Sequence, residues 1–191
     1  MSTQRLEAFT DGVIAIIITI MVLEMKVPHD ATAAALLSSL PILLTYVLSF
    51  VNVGIFWNNH HHVLHAAEHV DGRALWANLF LLFWLSLVPF VIRWIDETGF
   101  QPLPTAAYGV VLAMAAVGYV LLEWALVACN GPDSMLATAV GKDIKGMLSL
   151  ALYCAGVLLA FVQPWIALVI YVVVTLAWLL PDRRIETLRK D

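Results

Sequence analysis

The sequence predicts an all-α integral membrane protein with six transmembrane helices and no separate soluble domain. Three observations predict this: the composition, the spacing of the apolar segments, and the placement of the positive charges. Of the 191 residues, 62% are hydrophobic and 13% are charged, and the mean hydropathy is +0.89. Soluble domains are about half apolar and a quarter charged, so this composition excludes that class. Residues 1–191 are expected to form one membrane-embedded domain with no nucleic-acid partner.

Six apolar segments can be drawn, and prolines or charged residues separate them. They cover residues 6–27, 33–57, 74–95, 106–129, 144–162 and 165–180. Pro28 follows the first segment, and Pro41 either kinks the second or lies in its first turns. The short break at Gln163 and Pro164 predicts that the last two segments form a tight antiparallel hairpin.

The positive charges predict the orientation. With the N-terminus inside, only Lys26 and Arg93 fall on the outer side. The cytoplasmic side then collects Arg5, Arg73, Lys142, Lys145, Arg183, Arg184, Arg189 and Lys190. Cytoplasmic loops carry an excess of lysine and arginine, so both termini are predicted to be cytoplasmic and the number of spans to be even. Six of the seven tryptophans fall near span ends, whereas Trp84 is predicted to pack within the bundle.

The first segment combines a short apolar run with charges close to both of its ends. The uncharged run, residues 12–23, is shorter than the roughly 20 residues that a bilayer span needs. A longer helix must include Glu7 or Asp11 at one end and Glu24 or Lys26 at the other. A carboxylate in lipid costs about 2.5–3.5 kcal/mol on insertion scales. We therefore expect this helix to lie inside a bundle or to line an aqueous path.

A cleavable leader is not expected, although a small-residue site follows the first segment at residues 31–33. Acidic residues accompany the single Arg5 before the apolar run, and Glu24 and Lys26 separate that run from the site. Signal peptides have a positively charged start and no such charges before cleavage.

One side of the first helix is apolar with a single hydroxyl. At about 100° per residue, five side chains form a stripe roughly 100° wide. This apolar stripe consists of Gly12, Ile16, Thr19, Ile20 and Leu23. Asp11 points to nearly the opposite side and is expected to face the bundle. The stripe could also be ordinary packing, with the Thr19 hydroxyl bonded to the carbonyl of Ala15.

A histidine-rich run follows the second segment between His60 and His69. On a continuous helix, His61, His65, Glu68 and His69 would share one face, a spacing that suits zinc or iron. The run also fits a polar, pH-sensitive helix end. Outside it the chain has only His29, too few ligands for a di-iron centre, so we predict no metal site. Cys129 and Cys154 have no metal-ligand spacing.

The run from Arg5 to Thr19 resembles the first-helix signature of the transmembrane protein 175 family, the lysosomal potassium channel and its bacterial relatives. The signature reads Arg-x-x-x-Phe-Ser-Asp-Gly-Val, and this chain has Arg5, Phe9, Thr10 and Asp11 in it. Thr10 replaces the usual serine, which keeps a small hydroxyl. The layout of spans and the stretch at the end of the second segment also resemble the family.

The resemblance implies a potassium-selective channel of the bacterial plasma membrane, with K⁺ as the permeant ion and no cofactor. One helix per subunit cannot enclose a pore, so the pore must lie on a symmetry axis between subunits. The resemblance implies that the assembly is a homotetramer. The Thr-Val-Gly-Tyr-Gly filter of ordinary potassium channels is absent. By matching positions, Ile16, Ile20 and Leu23 would form a narrow apolar constriction and Thr19 a ring of hydroxyls.

A second group of residues is expected to hold this helix in the bundle. Arg5 and Asp11 are six residues apart, so they cannot pair along the helix and should find partners on other helices. The end of the second segment and the start of the third lie at this level. The predicted network comprises Arg5, Phe9, Thr10, Asp11, Trp57, His61 and Asn78.

Three other functions stay open on the sequence alone. A secondary transporter would use Asp11, Glu24 and Glu123 as proton or substrate sites, although the chain lacks the internal repeat that many transporters have. A metal-dependent membrane enzyme would use the histidine-rich run. A structural or signalling membrane protein would transport nothing. The prediction is a channel that catalyses no reaction.

Overall fold

The fold was described from a computed structural model that covers residues 3–28, 30–141 and 143–179. Within these residues all regular structure is α-helical and there is no strand. In chain order the helices are α1 (Thr3–Leu23), α2 (Ala33–Ser38), α3 (Leu40–His65), α4 (Gly72–Ser86), α5 (Val88–Thr98), α6 (Pro102–Asn130), α7 (Met135–Val140), α8 (Ile144–Ala160) and α9 (Pro164–Leu179). The all-α prediction is confirmed. His29, Lys142 and the basic residues from 183 to 190 lie outside the described residues.

Helix α1 is shifted toward the N-terminus relative to the predicted span 6–27. It begins at Thr3 and ends at Leu23, several residues before Pro28. The Met25 amide donates to the Val22 carbonyl at 3.3 Å, a tightened last turn. Beyond it the chain leaves the helix, and the side chains of Glu24 and Lys26 pair with α5. The helix therefore ends where its charges find partners, not at the proline.

The predicted second span is divided. Ser39 separates α2 from α3, and Pro41 lies in the first turn of α3, where a missing amide hydrogen costs nothing. Helix α3 continues past the predicted end at Trp57 as far as His65. Most of the histidines are therefore helical.

The predicted third span, 74–95, is also divided. Asp71 begins α4 by accepting bonds from the amides of Arg73 and Ala74, at 2.9 and 3.0 Å. Leu87 separates α4 from α5, and Pro89 follows in the first turn of α5. Gly99 ends α5 with φ 69°, a left-handed conformation that glycine adopts readily.

Helix α6 is the centre of the packing. It lies against α4 on one side and α8 on the other, and α9 packs on α8. At Gly118 the helices approach closely, because a Cβ there would lie 2.9 Å from the Cα of Leu81. Helix α1 packs instead against α3, α4 and α5. The chain thus places α1 on one flank and the α8–α9 hairpin on another.

Four helical segments in the described part of the chain are long and apolar enough to cross a membrane. They are Thr3–Leu23, Leu40–His65, Gly72–Thr98 (α4 and α5 together) and Pro102–Asn130. The apolar helices α8 and α9 are shorter, with 17 and 16 residues. A multi-span membrane protein is confirmed, and the count of six spans stays a prediction.

Candidate functional site

Helix α1 has two faces with opposite environments. One face is buried at every third or fourth residue; this buried stripe comprises Leu6, Thr10, Ile14, Ile17 and Met21. The apolar stripe lies elsewhere on the helix and is open: Ile16 is 59% exposed, Ile20 39% and Leu23 79%. Gly12 and Thr19 are exposed as well. A single subunit therefore leaves the side chains of the apolar stripe exposed.

The Thr19 hydroxyl is bonded to its own helix. It donates to the Ile16 carbonyl at 2.9 Å, and not to Ala15 as the alternative expectation had it. A hydroxyl has one hydrogen and two acceptor lone pairs. Donating backward therefore uses the hydrogen and leaves the oxygen lone pairs available to a cation or to water. Back-bonding and a role toward an ion are compatible at this position.

A buried polar cluster holds the N-terminal half of α1. We call Thr10, His60 and Asn78 the Asn78 cluster; they come from α1, α3 and α4, and all three are buried. The Asn78 Nδ2 donates to the Thr10 hydroxyl at 2.9 Å, and the Asn78 Oδ1 lies 2.9 Å from the His60 Nε2. Because Oδ1 can only accept, Nε2 must carry the hydrogen. One amide side chain thereby joins three helices.

The second ring nitrogen of His60 follows from that assignment. With the hydrogen on Nε2, the neutral ring presents a lone pair at Nδ1. This atom is buried and has no hydrogen-bond partner among the described residues. In the Asn78 cluster, the atoms between α1, α3 and α4 are therefore hydrogen-bonded, whereas the His60 Nδ1 has no partner among the described residues.

Two acidic residues near the start of α1 meet aromatic donors on α3. The Trp57 Nε1 donates to the Asp11 Oδ1 at 2.7 Å, and the His61 Nδ1 lies 2.6 Å from the Glu7 Oε1. The rings of Trp57, His61 and His65 stack in succession, with centroids 6.3 and 6.0 Å apart. Asp11 is exposed although its carboxylate contacts α3, so it lies at the rim of the bundle.

Five of the seven predicted network residues form hydrogen bonds between helices: Thr10, Asp11, Trp57, His61 and Asn78. Arg5 is exposed and forms no hydrogen bond or ion pair within the described part of the chain, and Phe9 is 50% exposed. Glu7 and His60 were missed. Glu7 lies one turn before Asp11, and His60 one turn after Trp57, so helical spacing could have flagged both.

The opposite end of α1 is held by exposed ion pairs. We call Glu24, Arg93 and Glu97 the Arg93 cluster. The Arg93 guanidinium donates to Glu24 at 2.6 Å through Nη1 and to Glu97 at 3.1 Å through Nε. Nearby, the Lys26 Nζ lies 3.8 Å from the Asp96 Oδ2. These contacts tie the end of the apolar stripe to α5.

The helical face expected for the histidine-rich run is wrong beyond His65. Helix α3 ends there, so Glu68 and His69 lie in the following loop. Their amides both donate to the Asn130 side-chain oxygen at 2.9 Å, which fixes the loop against the end of α6. Among the described residues, no group of three or more His, Cys, Asp or Glu is placed to hold a metal ion.

The three carboxylates of a hypothetical transporter do not form a common site. Asp11 pairs with Trp57 at one end of α1, and Glu24 pairs with Arg93 at the other. Glu123 is buried within α6.

The chain is similar to known proteins of one family. The family model for the endosomal/lysosomal potassium channel TMEM175 matches residues 5–89. A potassium channel of Chryseobacterium sp. strain P1-3 is 48% identical over 191 residues, which is 100% of both chains. A potassium channel of Chamaesiphon minutus is 31% identical over 179 residues, 86% of this chain and 87% of that one.

The fold has a counterpart of known structure. It is the crystal structure of a lysosomal potassium-selective channel TMEM175 homolog from Chamaesiphon minutus. The two folds superpose with a TM-score of 0.82 at 26% sequence identity, over 93% of this chain and 96% of that one. The region matched by the family model includes residues 5–23 of α1, the Asn78 cluster and the first two residues of α5.

Proposed function

The chain belongs to the TMEM175 family of potassium channels, and we propose that it conducts K⁺ through a pore lined by α1. In this proposal, four copies surround an axis and each contributes its apolar stripe to the pore wall. K⁺ flows passively down its gradient, and the protein needs no cofactor and catalyses no reaction.

The observation that carries the proposal is the uncovered apolar stripe. The buried stripe of α1 is packed against α3, α4 and α5, whereas Ile16 and Leu23 are more than half exposed. A single helix cannot surround an ion path, so the stripe needs further copies of the chain to close around it. The Asn78 cluster supports the same arrangement, because it holds the opposite side of α1 against its own subunit.

The constriction follows from the chemistry of the stripe. Rings of Ile16, Ile20 and Leu23 would present only hydrocarbon to an ion, and a narrow hydrophobic ring gates by excluding water. Thr19 lies between them and would supply the one ring of oxygen atoms. Its back-bonded hydroxyl points lone pairs away from its own helix, which suits partial replacement of the K⁺ hydration shell.

The membrane arrangement completes the proposal. The four long segments span the bilayer, and α8 and α9 span it as a hairpin, giving six crossings with both termini cytoplasmic. The whole chain then forms one domain in the plasma membrane of a bacterium. Helix α8, with 17 residues, would be about 26 Å long, close to the roughly 30 Å of the hydrocarbon core.

The direct test is cation flux into liposomes that carry the purified protein. We expect K⁺ to enter faster than Na⁺, at rates too high for an alternating-access carrier. Cross-linking in the same membranes should trap a tetramer. Absence of cation flux from folded, reconstituted protein would refute conduction, and flux from monomers would refute the shared pore.

Two adjacent isoleucines give a matched test of the constriction. Ile16 is 59% exposed and Ile17 is 3% exposed. The same substitution made separately at each position therefore tests the two faces of α1. Ile16→Asn should wet the proposed ring and raise K⁺ flux, about tenfold if the barrier falls by about 1.4 kcal/mol. Ile17→Asn should destabilise the subunit by placing an unpaired amide in the core. Unchanged flux in Ile16→Asn would remove that residue from the gate.

Thr19 tests the origin of selectivity. Thr19→Val keeps the branched shape and removes the oxygen, whereas Thr19→Ser keeps the oxygen and removes a methyl group. We expect the valine variant to assemble and conduct but to lose much of its preference for K⁺, and the serine variant to retain it. Reversal potentials under opposed K⁺ and Na⁺ gradients measure this. Valine-variant potentials equal to those of the parent protein would assign selectivity to the apolar rings instead.

A further inference from the structure

A cavity of about 340 Å³ lies between α3, α6, α8 and the end of α9, away from the proposed pore. Helix α1 contributes no residue to its lining. The volume is within the range of sites that bind small molecules. Leu121, Trp124 and Met147 lie at its edges and are exposed, so the cavity opens sideways between α6 and α8.

The length of the cavity matches one leaflet of a membrane. Along α6 its lining runs from Trp124 to Ala116, about 12 Å of helix, and along α8 from Asp143 to Tyr153, about 15 Å. Half of a hydrocarbon core of roughly 30 Å is also about 15 Å. The cavity therefore runs from one end of the bundle to its middle. The Asp143 end is the cytoplasmic end in the proposed orientation.

Two polar side chains of the lining, Asn52 and Ser149, are already hydrogen-bonded within the chain. The Asn52 amide donates to the Leu48 carbonyl at 3.0 Å and accepts from Thr175 at 3.1 Å. The Ser149 hydroxyl donates to the Lys145 carbonyl and accepts from the Trp178 indole, both at 2.8 Å. Bound water needs several polar partners, so this lining favours a hydrocarbon occupant.

A positive charge lies beside the Asp143 end. The Lys145 Nζ is 4.6 Å from the centroid of the Trp178 ring, and Trp178 lines the cavity. A lysine at this level is within a side-chain length of the surface of the leaflet, where lipid phosphates lie. Ammonium groups bind phosphate as point charges.

We propose that this cavity is a lipid site, in which one acyl chain of a phospholipid from the Asp143-side leaflet lies between α6 and α8 and its phosphate pairs with Lys145. The inner end of the acyl chain contacts the walls of the cavity near Ala116 and Tyr153. The site is separate from conduction, so it can be occupied whether or not the pore is open.

The test uses the full-length protein in liposomes that contain a phospholipid with a photoreactive diazirine on one acyl chain. We expect the label at cavity residues such as Tyr153, located by mass spectrometry of peptides. Ala116→Phe fills the middle of the cavity. In this variant the acyl chain should lose the burial of about two methylene groups, so labelling of the cavity should fall about tenfold. Val117→Phe serves the same purpose if the first variant does not fold.

The matched control is Ala151→Phe, because Ala151 is exposed on α8 and does not line the cavity. This variant should label as the parent does. Label confined to outward-facing residues such as Leu148 and Leu158, or cavity label unaffected by both filling variants, would overturn the site. Lys145→Gln should reduce labelling by the phospholipid but not by a long-chain alcohol with the same diazirine chain. An equal reduction for both probes would overturn the phosphate contact.

Discussion

The two ends of α1 are held to the bundle by different chemistry. Near its N-terminus, Thr10 and Asn78 meet in a buried cluster in which both are 0% exposed. At its C-terminal end, Glu24 and Arg93 meet at a similarly short distance, but the Arg93 side chain is 53% exposed. Geometry alone would rank the ion pair as the stronger contact. Burial reverses that ranking, because an unpaired polar group in the interior costs much more than one in water.

This contrast suggests that the two ends of the proposed pore helix have different roles. The Asn78 cluster joins α1, α3 and α4 and fixes the register of α1 within the subunit. The Arg93 cluster lies just beyond Leu23, the last residue of the apolar stripe, and in the proposed pore its charges would act on passing ions. The first end should control stability, and the second should control the local electrostatic potential.

The largest effect is expected from Asn78→Ala. It removes the acceptor of the His60 ring and both bonds of the Thr10 hydroxyl, at a site where all three residues are buried. The free energy of unfolding should fall by about 2 kcal/mol, measured by equilibrium unfolding in mixed micelles. Asn58→Ala is the control, because Asn58 is exposed on α3, and it should change stability by less than about 0.5 kcal/mol. Equal effects of the two variants would contradict the ranking.

A smaller effect is expected from Trp57→Phe. It removes the indole donor to Asp11 and keeps an aromatic ring that can stack on His61. Because Asp11 is exposed, water replaces the lost bond, and the cost should be about 0.5–1 kcal/mol. The same change at Trp76, which is 75% exposed and has no hydrogen bond in the described part of the chain, should be nearly neutral. A loss as large as that of Asn78→Ala would place Asp11 in a drier environment than its exposure indicates.

Periodicity predicted much of this site, because the faces of α1 repeat at the helical period. The apolar stripe could be grouped from the sequence, and the resemblance directed attention to Thr10, Asp11 and Trp57. Asn78 was grouped with them because the third segment starts at the same level. Which residue pairs with which could not be predicted, since pairs such as Thr10 and Asn78 are 68 positions apart. Periodicity also gave no sign that Arg5 would find no partner among the described residues.

The helix ends show where local signals fail. The histidine-rich run has no glycine or proline before Gly72, so helical spacing extended it through His69. The helix stops at His65, and Asn130, on a distant part of the chain, binds the amides that follow. The break at Leu87 had a local signal in Pro89, which was read as part of one continuous span.

The smallest effect on stability is expected from Arg93→Gln. This variant also tests whether the two ends of α1 have different roles. The substitution frees the Glu24 carboxylate beside the end of the apolar stripe. Stability should change less than in Trp57→Phe, because both partners are substantially exposed. K⁺ conductance at low ionic strength should rise, because an unpaired carboxylate attracts cations, and the gain should fade above about 0.1 M salt as the charge is screened. Adding Glu24→Gln to the variant should abolish the gain. A large loss of stability that salt does not alter would mean that both ends of α1 anchor it equally.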